Sequence, residues 1–115
     1  MYQDDIVLCA SSAYDKKYFL SADFEGLPQR IKDELKIMCV LFTEDIGGVF
    51  TLSFTEDGSL QMNTSADEGD LLYDEIGSVL KIKQLRREKR DLFEALEMYY
   101  RVYFLGEVPE DVDGD

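Results

Sequence analysis

The sequence predicts an α+β fold in the order ββαββα: an antiparallel sheet of about four strands, two hairpins, packed against helices. Three observations carry this. Residues 49–64 alternate apolar and polar around Asp57-Gly58, a helical pattern runs from Gly26-Leu27-Pro28 to Gly47-Gly48, and residues 69–105 contain no proline. A length of 115 residues fits one core, and 45% hydrophobic residues place the chain among globular proteins. The expected organisation is a single domain over 1–105 and an acidic, disordered tail over 106–115.

Taken in order, Ile6 to Ala10 and Lys17 to Ser21 are short β-prone runs, and the turn formers of Ser11-Ser12-Ala13-Tyr14-Asp15 join them into a hairpin. Pro28 suits a helix start, because its missing N–H costs nothing there. Ile31, Leu35, Met38, Val40, Leu41 and Phe42 continue at helical spacing, so a helix is expected from about Pro28 to Asp45, closed by Gly47-Gly48.

In the second hairpin the turn length follows from register. A two-residue Asp57-Gly58 turn would set Phe54 opposite Gln61 and Leu52 opposite Asn63, mixing the two faces of the sheet. A three-residue loop, Glu56-Asp57-Gly58, pairs Phe54 with Leu60, Leu52 with Met62 and Phe50 with Thr64, with Gly58 left-handed in a bulge.

Ser65-Ala66-Asp67-Glu68 has capping-box spacing, and the proline-free stretch beyond it is expected to be helical from Gly69 to Leu105. Leu72, Ile76, Val79, Ile82 and Leu85 form its core-facing stripe, resumed by Leu92, Leu96, Tyr99 and Tyr103. Between them Arg86-Arg87-Glu88-Lys89-Arg90-Asp91 is wholly charged and cannot lie against a core. Either one helix projects into solvent there or two helices meet, with Asp91 capping the second and Glu94 at the reciprocal position. Acids at the start of the stretch and bases before Arg90 suit a helix ending at that point. Without glycine or proline at the joint, the expectation remains a continuous or bent helix over 69–105.

Function is constrained mainly by absences. Histidine is missing, which removes imidazole acid–base chemistry and every triad built on it. No phosphate-binding glycine loop is present, and Cys9 and Cys39 lack the spacing of redox or zinc motifs, reading instead as small buried hydrophobes. The chain is read as a non-enzyme with no cofactor. Asp67, Glu68, Asp70, Asp74 and Glu75 are carboxylates able in principle to hold a hard cation, but they lack calcium-loop spacing and suit an acidic helix start; Asp111-Val-Asp113-Gly-Asp115 resembles a calcium loop only faintly. No metal site is therefore expected.

The net charge of −13 disfavours nucleic acid and anionic membrane as partners. Yet six of the 12 basic residues, Lys81, Lys83, Arg86, Arg87, Lys89 and Arg90, fall in one stretch. A solvated helix face is the plain reading; the functional one is a docking site for acidic protein surface. The acids Asp67, Glu68, Asp70, Asp74 and Glu75 of a second copy would complement it in an antiparallel two-fold dimer. Such a dimer also needs apolar burial, for which Tyr99, Tyr100, Tyr103 and Phe104 are candidates, although aromatics at this spacing more often build a core. The function expected is protein interaction with self-association. The alternatives are a small-ligand or metal-binding regulator using the carboxylates of 67–75, and a small acidic chaperone. Met1-Tyr2-Gln3-Asp4-Asp5 followed by a short apolar run is not a secretory leader, and no segment is long and apolar enough to span a membrane, so a cytoplasmic setting is expected.

In Cys39 to Gly48, Glu68 to Gly77, Leu92 to Tyr100 and Phe104-Leu105-Gly106, the chain resembles a family of small uncharacterised proteins, a domain of unknown function, from anaerobic Gram-positive bacteria. The resemblance covers nearly the whole chain. It implies a bacterial origin and an intracellular setting, and brings no activity, ligand or catalytic residue.

Overall fold

In the computed structural model, which describes residues 5–107, the strands are β1 (Ile6–Ser12), β2 (Lys17–Leu20), β3 (Val49–Phe54) and β4 (Leu60–Ser65). The helices are α1 (Gln29–Ile46), α2 (Glu75–Glu88) and α3 (Arg90–Tyr103), and a short 3-10 turn spans Ala22–Phe24. The four strands form one antiparallel sheet in the order β2-β1-β3-β4, as the hairpin pattern predicts.

The β3–β4 pairing is the register argued from face consistency: Phe54 opposes Leu60, Leu52 opposes Met62 and Phe50 opposes Thr64. The Thr55 N–H donates to the Ser59 carbonyl and the Gly58 N–H to the Thr55 carbonyl, closing the loop Glu56-Asp57-Gly58 with Gly58 at φ 90°. Cys9, Ser11, Phe50 and Leu52 share the face that α1 covers, and on it Phe42 stacks on Phe50 at 3.9 Å between ring centroids. Ser11 and Thr43 join their hydroxyls at 2.8 Å across the same interface, so the polar groups buried there are satisfied. A second aromatic layer of Phe24, Phe54, Tyr100 and Phe104 seats α3 over the β3 side of that face.

α1 follows its expected limits, with Pro28 at the N-cap and Gly47 at the C-cap. Gly48, at φ 70°, passes so close to Ser65 that a Cβ would lie 2.4 Å from its carbonyl oxygen.

The C-terminal half departs from expectation in three ways. First, no helix starts near Gly69. Ser65 ends β4, Gly69 adopts φ 84°, and residues 66–74 form a tied-down loop. Tyr14 anchors it by accepting the Asp67 N–H and donating to the Asp70 carboxylate, while the Tyr73 hydroxyl donates to Thr64 and the Asp74 N–H to the Ile46 carbonyl. These tertiary bonds outcompete the local capping box, and Asp74 caps α2 instead, accepting the Gly77 N–H at 2.8 Å.

Second, the helical region is broken, not continuous: Lys89, at φ −109° and ψ 25°, leaves the helix between α2 and α3. Asp91 is not the cap, since Lys89 occupies that position without a side-chain cap bond, and Glu94 pairs with Arg90 at 3.7 Å. The six charged residues cannot be buried, so the chain turns there and each helix buries its own apolar side. Third, the proposed stripe does not face the core as a unit. Leu85 is buried and Ile82 partly so, but Leu72, Ile76 and Val79 are exposed. In α3 the buried positions are Leu92, Phe93, Leu96 and Tyr100, with Tyr103 exposed.

The tail assigned to 106–115 lies outside the described residues from 108 onward.

Candidate functional site

α2 runs antiparallel to α1, held by ion pairs Lys81–Asp45 at 3.2 Å and Lys89–Glu34 at 3.1 Å. These pairs occupy two of the six bases singled out from the sequence, and Arg90 pairs within α3. Lys83, Arg86 and Arg87 are exposed and make no ion pair among the described residues. The basic stretch is therefore divided: one part fixes α2 to α1 and turns the chain, the other faces solvent.

The acidic candidates divide in the same way. Asp70 accepts from the Tyr14 hydroxyl and from the Leu72 N–H at 2.9 Å, and the Tyr14 bond holds its carboxyl below the usual carboxylate range. Asp74 is the cap of α2. Glu68 and Glu75 are exposed and bind no other described group. Acids and bases do not meet within one chain, because they sit at opposite ends of α2, whose 14 residues make a rod of about 20 Å. Asp111, Asp113 and Asp115 lie outside the described residues.

The aromatic candidates prove to be mainly core. Tyr100 is buried, Tyr99 packs against the core, and only Tyr103 and Phe104 open to solvent.

Besides single exposed groups such as Phe19 and Met98, large apolar side chains are left uncovered on α1, α2 and the loop before α2. Leu71 and Leu72 are 94% and 91% exposed, Ile76 76%, Leu80 61% and Ile37 59%, with Leu41 and Val79 also exposed. Ile37 and Leu41 belong to α1, the others to α2 and the loop before it. Between the two helices runs a groove of about 490 Å³ floored by Met38 and Leu85, with Ile37, Leu41, Lys81 and Gln84 along its sides. Gln84, Leu80 and Ile76 follow one another at four-residue intervals, so Leu80 and Ile76 carry an apolar row from the groove towards the start of α2. Large aliphatic side chains are thus left in water on two adjacent helices and on the loop before α2.

The sequence reading missed this face by assigning Leu72, Ile76 and Val79 to the core. A signal was present: Ile76, Val79, Leu80, Ile82 and Leu85 spread around more than half a turn, too widely for one buried stripe. The apolar run Ile37 to Phe42 encircles α1 likewise.

Elsewhere, a hollow of about 600 Å³ lies between the β1–β2 hairpin and α1, lined by Ser11, Lys16, Lys17, Tyr18, Lys36 and Thr43. The Tyr18 hydroxyl is buried without a hydrogen-bond partner among the described residues, and burial, reinforced by Cys9, pushes its pKa up and keeps the phenol protonated. Cys9 and Cys39 are buried with their sulfurs 3.8 Å apart. That contact and burial push the Cys39 thiol up, the opposite of what a nucleophile needs. Among the described residues no group of three or more His, Cys, Asp or Glu is placed to hold a metal ion, and no helix is long and apolar enough to cross a membrane.

Residues 5–108 match a family of unknown function, DUF6145, and with nearly the whole chain inside that match the protein belongs to this family. No curated protein and no solved structure matches.

Proposed function

We propose that this member of the DUF6145 family is a non-enzymatic protein-interaction domain that self-associates through the outer face of α1 and α2, in the cytoplasm of a bacterium. The observation that carries the reading is the exposure of large aliphatic side chains at Ile37, Leu41, Leu71, Leu72, Ile76 and Leu80. Each is a large apolar group left in water, and covering such surface contributes about 25 cal/mol per Å².

The charge layout favours a second copy over a generic hydrophobic partner. An acidic shoulder precedes the apolar part of α2, and bases that make no ion pair among the described residues follow it, so the surface is complementary to itself when reversed. Carboxylate-based metal binding at 67–75 is the less favoured reading, because Asp70 already accepts with both oxygens, from Tyr14 and Leu72, and Asp74 with one, from Gly77.

Light scattering of the native protein at tens of micromolar, at low salt, tests the proposal. Twice the chain mass is expected, falling towards one chain on dilution. A single-chain mass throughout overturns it.

A further inference from the structure

We infer that two copies meet through α2 in an antiparallel coiled-coil register, with Ile76 of each opposite Leu80 of the other. This rests on the self-association proposed above and specifies its geometry.

The register follows from four residues. Ile76, Leu80, Lys83 and Arg87 are spaced by four, three and four, the spacing of a coiled-coil seam, and all four are exposed. The first half of this seam is aliphatic and the second half basic. A parallel pairing would set Lys83 against Lys83 and Arg87 against Arg87, a like-charge arrangement.

In an antiparallel pairing, one choice of axis brings the aliphatic half of the seam onto itself. With the two-fold level with residue 78, Ile76 faces the partner's Leu80 on both sides, so aliphatic meets aliphatic twice. The partner's α2 begins at Glu75, level with residue 81, so Lys83 and Arg87 extend past that acidic helix start. Sliding the axis towards the basic half buries Leu80 against Lys83 and separates the acids from the bases. Ser78 itself is buried against the chain's own core, so the axis passes over it without contact.

Cysteine cross-linking tests the register. Ile76→Cys and Leu80→Cys are prepared as separate variants, oxidised alone and as an equimolar mixture; the native thiols of Cys9 and Cys39 are buried and do not compete. The expected result is a mixed Ile76→Cys/Leu80→Cys disulfide forming at least tenfold faster than either homodisulfide. Fast homodisulfides at both positions, or no cross-link at twice the chain mass, overturn the register while leaving self-association standing. A single-chain mass for the native protein removes both.

Should the cysteines weaken the contact, charge exchange gives an independent reading. Lys83→Glu with Arg87→Glu, and Glu68→Lys with Glu75→Lys, each should weaken self-association by about tenfold or more, exposed pairs being individually modest. Mixing the two variants should restore a dimer. Failure of the mixture to associate better than its parts contradicts the register.

Discussion

Leu80→Ala isolates the apolar contribution of the proposed contact. The substitution removes three carbons from a side chain that is 61% exposed in the single chain. At about 0.8 kcal/mol per buried CH₂, re-covering that fraction is worth roughly 1.5 kcal/mol per copy, or roughly 3 kcal/mol per two-fold dimer. Since 1.4 kcal/mol is a factor of ten, the dissociation constant should rise about a hundredfold. The fold should not suffer, because alanine is the better helix former and exposed substitutions stay within about 0.5 kcal/mol. Sedimentation velocity over a dilution series measures the association, and urea unfolding at sub-micromolar concentration measures the monomer. A dissociation constant within threefold of the native one would refute the placement of Leu80 at the contact. An equal loss of monomer stability would show that its role is internal.

Three further outcomes probe the fold beneath that face. Gly48→Ala should destabilise by about 2–4 kcal/mol in thermal unfolding, since a Cβ there meets backbone, the Ser65 carbonyl, at a φ of 70° that alanine disfavours; a loss under about 1 kcal/mol would contradict the close approach. The Tyr14 hydroxyl's bond to Asp70 lowers the carboxyl and raises the phenol, so it stabilises the native state above the unfolded carboxyl value of about 3.9 and below the unfolded phenol value of about 10. Stability linked to this pair should fall as pH drops through the folded Asp70 value and again as pH rises through the folded Tyr14 value. Tyr14→Phe should flatten both limbs, and unchanged pH profiles would rule the bond out. Cys9 and Cys39 should resist a thiol reagent at pH 8 and react fully in denaturant, because burial withholds both and keeps the Cys39 thiolate scarce; rapid native labelling would mean that α1 opens from the sheet.

How far the sequence spoke depended on whether local chemistry or distant contacts decided the matter. The β3–β4 hairpin was legible to the residue pair, because a one-residue slip would mix its two faces and glycine alone suits the position of Gly58. α1 was legible because Pro28 and Gly47 bound it. The start of α2 was not: Tyr14, more than 50 residues earlier, holds the loop at Asp67 and Asp70, and no local pattern reveals that. Lys89 broke the helix without glycine or proline, since the charge run that forbade burial also let Glu34 on α1 capture it. The basic residues were visible as a run, but their division into internal pairs at Lys81 and Lys89 and exposed charges at Lys83, Arg86 and Arg87 needed the fold. The aliphatic face was hidden by the assumption that periodic leucines and isoleucines face inward.

Whether a second copy covers α2 is decided most directly by isotope-filtered NMR on a mixed sample, one half methyl-labelled at isoleucine and the other at leucine. Intermolecular contacts between the methyls of Ile76 and Leu80 are predicted, lost at high dilution. Methyl signals of both residues at single-chain line widths, with no intermolecular contact at hundreds of micromolar, would contradict the account.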